Sequence, residues 1–338
     1  MTRNAPLTLA ALLFLVVPSP AHSAGSPGVA VPRIDDAFWA HWGDGRAEIA
    51  TYDLTYPRYG ATRSGTAVTI FVTEPFAPAP GVKSEDPRRP AAETLPVLKL
   101  NLIQDFPTGV YDYNLMTSAF VALAAGAGRD NGRTLKVSFS AQEWCGQSYA
   151  HAQIDPAGVR LVSHSYFDGE ADAAVTLPSP PDGLAEDALL VWARGLLAPV
   201  LAPGATVEAS LLRSLELGRL EHVRAAWDRG TLARSAESQS VTVPAGTFDV
   251  DERTVSVPTM TEPRSYPPAR SATPLAPRTW TFLVERAWPH RVIRWSRSDG
   301  ASAVLVASAR IPYWKLNGPG LESALAELGL QPRAPRTP

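Results

Sequence analysis

Period-two alternation of apolar and polar side chains runs through most of this chain and predicts strands far more often than helices. Residues 46–56 (RAEIATYDLTY) set Ala47, Ile49 and Thr51 against Glu48, Ala50 and Tyr52, a weak alternation that fits an opening or edge strand. Pro57-Arg58-Tyr59-Gly60 reads as a turn, because Pro presets φ and Gly accepts positive φ, and the β-branched run 66–73 returns antiparallel. Strands are predicted over 96–104, 110–122, 134–143, 147–154 and 158–166, then over 206–217, 218–226, 232–243, 247–257, 279–288, 290–298 and 302–311. Asp130-Asn131-Gly132 and Asp299-Gly300 supply hairpin-turn chemistry between them.

Two Pro-rich stretches without periodicity, 74–94 and 258–278, read as exposed excursions. A long helix is predicted over 184–197 (LAEDALLVWARGLL), with Asp182 as its cap, Glu186 and Asp187 in its first turns, and Pro199 and Pro203 ending it. A short helix near 321–328 precedes a Pro/Arg tail read as disordered. The pattern predicts a mostly β fold: antiparallel curved sheets or a half-open barrel, in one or two lobes, with one or two covering helices. The expected divisions are a leader over 1–23, a first β lobe over 24–181, a helical seam over 182–204, a second β lobe over 205–318, and the short helix and tail over 319–338.

The leader changes where this fold is expected to work. Arg3 precedes an apolar run from Leu7 to Val17, Pro18 and Pro20 break it, and Ala21 and Ser23 place small residues at the −3 and −1 positions of a cleavage site before Ala24. This is the pattern of a secretory signal peptide, and a run of about 11 residues is too short to span a bilayer. The mature chain is therefore expected in the periplasm or outside the cell, with no membrane span.

Composition narrows the function. Removing the leader leaves 30 basic against 33 acidic residues, and no Lys/Arg run would track a phosphate backbone, so nucleic acid is not an expected partner. A single cysteine, Cys145, rules out an internal disulfide and leaves stability to core burial.

Val241-Thr242-Val243-Pro244-Ala245-Gly246-Thr247-Phe248 is read from its residues as a plain β-turn between two strands. It also resembles the V-x-V-P-A-G-T-F hairpin of a broad group of exported bacterial proteins of unknown function, in which a segment like 279–296 (TWTFLVERAWPHRVIRWS) follows. The stretches 38–45 (FWAHWGDG), 104–114 (QDFPTGVYDYN) and 142–146 (QEWCG) are similar to a narrower family of uncharacterised exported proteins, some labelled septum formation inhibitor Maf. The resemblance implies a β-rich envelope protein and carries no catalytic residues. Maf nucleotide chemistry is not implied: Glu85-Asp86-Pro87-Arg88-Arg89 lacks the serines of an S-x-S-P-R-R-like phosphate motif.

Two constellations are weighed for chemistry. Cys145 is a candidate nucleophile, with His164 as base and Asp168 as orienter, since a thiol needs a nearby imidazole to ionise at neutral pH. The alternative is a small buried strand residue. Asp168, Glu170 and Asp172 are candidate hard-oxygen ligands for Ca²⁺. Counted as an EF-hand loop from Asp168, however, the sixth position is Ala173 rather than Gly and the twelfth is Ser179 rather than Glu, which favours a solvated turn. His41, His151, His222 and His290 are scattered, and zinc, nucleophile-elbow and dinucleotide motifs do not occur. The expectation is an exported protein that binds a hydrophobic ligand or an envelope protein without catalysis or cofactor; the alternative is a hydrolase using Cys145.

Overall fold

The computed structural model describes residues 29–126, 130–168, 170–262 and 273–332. The leader predicted over 1–23, part of the second Pro-rich excursion and the end of the tail lie outside them.

The alternating segments become strands, each reversing on turn chemistry already visible in the residues. In the first half these are β1 (Val29–Ala30), β2 (Ala47–Arg58), β3 (Ala61–Ala77), β4 (Val82–Lys83), β5 (Leu95–Pro107), β6 (Asp112–Ala122), β7 (Thr134–Glu143), β8 (Gly146–Asp155), β9 (Gly158–Ser165) and β10 (Asp172–Leu177). The second half supplies β11 (Gly183–Ala185), β12 (Val200–Leu201), β13 (Thr206–Leu212), β14 (Trp227–Val243), β15 (Gly246–Val257), β16 (Met260–Glu262), β17 (Thr273–Leu275), β18 (Arg278–Glu285), β19 (Val292–Arg297) and β20 (Ser302–Ile311).

Sixteen strands form one sheet in the order β10-β9-β8-β7-β6-β5-β3-β2-β20-β19-β18-β15-β14-β13-β11, with β4 pairing β3. Every pairing in it is antiparallel except that of β11 with β13. The fold is thus mostly β, one large sheet that does not close into a barrel, and β2 pairing β20 joins its two halves continuously. The Pro244-Ala245 pair is a two-residue turn, with Val243 opposite Gly246. In the turn between β19 and β20, Asp299 accepts from the Ala301 amide at 3.0 Å and Gly300 takes a positive φ of 99°.

One face of this sheet wraps a plug made by residues 183–201. The long predicted helix over 184–197 is not formed as such. Its sequence divides into β11, a 3-10 turn (Glu186–Ala188) and α2 (Leu189–Ala193), and Gly195 ends the helix at a positive φ of 72°. The reason is tertiary. Asp182 bonds Ser210 and Arg229 instead of capping, and burial of every residue of α2 replaces a solvated helix face with a fully enclosed one. A second correction concerns 218–226, predicted as a strand. The segment α3 (Leu215–Glu221) is helical, capped by Ser214, whose Oγ accepts from the Glu216 amide at 3.1 Å. The first Pro-rich excursion also begins later than predicted, since Phe76 and Ala77 are buried at the end of β3. An N-terminal helix, α1 (Asp36–Trp42), was not legible as one; Asp35 caps it by accepting from the Phe38 amide.

The core between sheet and plug is aromatic and aliphatic: Trp42, Tyr56, Phe106, Phe139, Trp192 and Phe282 are all buried. Close packing also appears in the backbone. A Cβ on Gly65 would lie 2.1 Å from the Asp105 carbonyl oxygen across the β3–β5 ladder, and neither backbone can yield. Gly65→Ala is therefore expected to destabilise by more than about 2 kcal/mol, measured as a lower denaturation midpoint with unchanged m. An unchanged midpoint would show that the ladder relaxes there.

Candidate functional site

The hairpin turns β2–β3, β5–β6, β7–β8 and β9–β10 lie at one end of the sheet, as their antiparallel registers require. The helix α3, which follows β13, lies at the same end, with Arg219 reaching Glu143 beside the β7–β8 turn. There α3 stands as a wall with a groove on either side. The larger groove, about 440 Å³, lies between α3 and the sheet limb β7–β10. The smaller, about 340 Å³, lies between α3 and the start of β18, and carries Arg58, Arg278, Arg297 and Trp280.

Alternation decides what faces the larger groove. Ser148 and Ala150 on β8, Leu161 and Ser163 on β9, and Ala173 and Val175 on β10 line it. Phe139 on β7 adds to this wall, and Leu215, Gly218, Arg219 and Val223 close the opposite side. Apolar walls with a few hydroxyl and cationic groups are the usual make-up of a small-molecule pocket, and the volume falls within the common range.

The wall between the grooves is fixed by buried charge. Arg213 makes two hydrogen bonds to Asp228, at 2.9 and 2.7 Å, with both side chains almost fully buried. Arg278 reaches Asp228 and Glu186, each at 2.7 Å. On the other side Glu216 accepts from the Tyr56 hydroxyl at 2.6 Å and from Arg297. Asp187 pins the start of α3, accepting from the Ser214 hydroxyl at 2.7 Å and from the Leu215 amide at 3.0 Å.

Burial pushes the Asp187 carboxyl up to about 7, against the lowering effect of those two hydrogen bonds, and the neighbouring Glu186 and Glu216 add to the rise. The folded protein therefore keeps a proton that the unfolded chain releases near pH 4. The stability this group contributes is complete below that pH and is lost as pH rises through about 7. Asp187→Asn keeps an acceptor for the Leu215 amide and turns an N–H donor to the Ser214 hydroxyl, which can accept it. It is expected to make the decline in stability between pH 4.5 and 7.5 shallower than in the wild type, read from urea midpoints across that range. Parallel profiles would refute the assignment.

The sequence-predicted residues fall into separate places. Cys145 is exposed at the tip of the β7–β8 hairpin, beside Trp144, which stacks on Tyr111. It is not the small buried strand residue of the alternative reading. His164 lies on β9 with its Nδ1 2.6 Å from Asp172, in an exposed pair. Among the described residues no hydrogen bond or ion pair joins His164 or Asp168 to Cys145. Glu170 turns instead toward α3, where His222 Nδ1 lies at 2.7 Å and the Ser165 hydroxyl donates at 2.8 Å. Glu170 and Asp172 thus have different partners. Among the described residues no group of three or more His, Cys, Asp or Glu is placed to hold a metal ion.

The Glu143 carboxylate beside Cys145 hydrogen-bonds its thiol and pushes its pKa up, with Arg219 opposing weakly. This is the reverse of nucleophile activation. Alkylation of Cys145 by iodoacetamide at pH 7.5 is expected to be slower than for a free thiol despite its exposure. Glu143→Gln should accelerate it severalfold, as followed by intact-mass spectrometry; equal rates would show that Glu143 does not control the thiol.

Sequence reasoning missed Asp187, Arg213, Ser148 and Arg219. Asp187 and Arg219 bond residues far away along the chain, Ser214 and Asp187 being 27 residues apart and Glu143 and Arg219 76. Only the placement of α3 brings them together. No family model and no curated protein matches this chain. Among solved structures, the crystal structure of a beta-barrel-like protein of domain of unknown function DUF1849 from Brucella abortus is similar, at 12% identity and a TM-score of 0.42. The match covers 78% of this chain and 98% of that one. Among the described residues no helix is long and apolar enough to cross a membrane.

Proposed function

We propose that this chain is an exported, non-catalytic binding protein whose groove between α3 and β7–β10 takes a hydrophobic or amphiphilic small molecule. The observation that carries the reading is the groove itself: about 440 Å³ between an unclosed sheet limb and a pinned helix, with Phe139, Leu161, Val175 and Val223 among its walls. Export to the periplasm or outside the cell is the reading supported by the leader pattern of Arg3, the Leu7–Val17 run and the small residues Ala21 and Ser23. The likeness of 241–248 and 279–296 to a broad group of exported bacterial proteins of unknown function points the same way.

A small-molecule ligand has more support than an envelope protein, because the groove is concave and of pocket size rather than a flat patch. A hydrolase built on Cys145 has less support: the thiol is held protonated by Glu143, and the His164 imidazole is engaged with Asp172.

The test uses the mature chain and Nile red, a neutral dye that brightens and shifts to the blue in apolar surroundings. Saturable binding is expected. Ala150→Trp, which fills the groove from β8, should weaken it at least tenfold while the circular-dichroism spectrum and melting stay close to wild type. Absence of binding, or equal binding by the two folded proteins, would overturn the reading.

A further inference from the structure

Two residues lining the groove carry a polar atom that the surrounding protein does not satisfy. Ser148 Oγ on β8 and Arg219 Nε on α3 are buried and have no hydrogen-bond partner among the described residues, and both residues line the groove. Ser148 is 6% exposed, and the Arg219 side chain is equally enclosed at 6%. A buried donor left unmet costs about 1–3 kcal/mol, so a ligand group that met both would recover a useful part of its binding energy. An Arg Nε–H can only donate, whereas a serine hydroxyl donates or accepts. What the pair lacks is an acceptor.

The surrounding charge decides which acceptor fits. The groove's inner cation, Arg213, is spent on Asp228. Arg219 lies 3.4 Å from Glu143 through Nη2 and covers the Phe167 ring at 4.2 Å. Glu170 faces the same space, held by Ser165 and His222. Arg224, also a lining residue, sits at the exposed lip, where water screens it. A carboxylate or phosphate drawn to Ser148 and Arg219 would stand near Glu143 and Glu170 in a partly dry site. A carbonyl or ester oxygen makes the same hydrogen bonds without that repulsion. A cationic head would suit the two acids but would leave Arg219 Nε unmet.

Resting on the proposed reading of the groove, we infer that its ligand is an uncharged acyl amphiphile. Its carbonyl accepts from Arg219 Nε and the Ser148 hydroxyl, and its chain runs along Phe139, Ala150, Leu161, Val175 and Val223. The class is that of a monoacylglycerol or a similar neutral acyl ester, as distinct from a free fatty acid or a charged lipid.

Three probes with the same chain length and different heads test this: monolauroyl glycerol, laurate and dodecyltrimethylammonium. Each is titrated below its critical micelle concentration against bound Nile red at pH 7.5. Monolauroyl glycerol is expected to displace the dye at concentrations about tenfold lower than either charged probe. Ser148→Ala should weaken monolauroyl glycerol about fivefold while leaving Nile red and dodecyltrimethylammonium unchanged. Arg219→Lys, which keeps a cation opposite Glu143 but has no Nε donor, should do the same. Laurate or the ammonium binding as tightly as the glyceride, or a Ser148→Ala protein that binds the glyceride like wild type, would overturn the head-group assignment and leave the groove standing. Failure of Nile red itself to bind, or to be blocked by Ala150→Trp, would bring down the groove and this inference together.

Discussion

The buried pair of Arg194 and Glu48 is the constraint on which the plugged sheet depends. Arg194 closes α2 and sends both terminal nitrogens to the Glu48 carboxylate, at 2.6 and 3.1 Å, with the two side chains 1% and 4% exposed. Burial alone would raise the Glu48 carboxyl, but Arg194 and His41 together hold it down to about 2. The guanidinium also lies over the Trp42 and Phe71 rings and donates to the Pro289 carbonyl at 2.9 Å. One side chain from the plug therefore touches α1, β2, β3 and the β18–β19 turn. A buried ion pair is a weak source of net stability compared with apolar packing, but removing one partner strands the other charge. Its effect is one of registry: the plug has one seat against β2, in the middle of the sheet, and every side chain between Gly183 and Leu201 is placed from it.

That seat determines where α3 stands. A sheet of this length, left to its own twist, would end in two open edges. Here the edge strands β10 and β11 are brought near each other by the plug, and α3 occupies the space at one end. The charges around α3 follow from this position. Arg213, Asp228, Arg278, Glu186, Glu216 and Arg297 would be costly to bury singly, and they are buried as pairs that share partners. The two grooves are what remains on either side of a wall held by ions. Their walls are apolar where the sheet faces inward and polar where α3 begins.

The strands were the legible part of this molecule, because period-two alternation reports directly on which face is buried and turn residues report where the chain reverses. Pro244-Ala245 and Asp299-Gly300 are turns where the residues place them. Helices were less legible. In 215–221 the buried set is Leu215, Glu216 and Arg219, two of them charged, so no apolar stripe marks it. In 184–197 the residues have strong helical character, yet enclosure on all sides leaves only a single turn and a half around Leu189–Ala193. The site was the least legible. Glu170 and Asp172 are close in sequence but take different partners, while Ser148 and Arg219 give no local signal and line one groove from different elements. Proximity along the chain was the wrong guide in a sheet where the important neighbours come from different limbs.

The join between β10 and β11 has a mechanical meaning. These strands are the two free margins of the sheet, yet only residues 178–182, three of them proline, separate them in the chain. Trp227 fastens this short link by donating its indole N–H to the Pro178 carbonyl at 2.8 Å. Among the described residues no ladder of backbone bonds joins β10 to β11. The molecule resembles a rolled leaf whose ribs are laddered throughout and whose two margins are fastened at their overlap by side chains, Trp227 on Pro178 and Asp182 on Ser210 and Arg229.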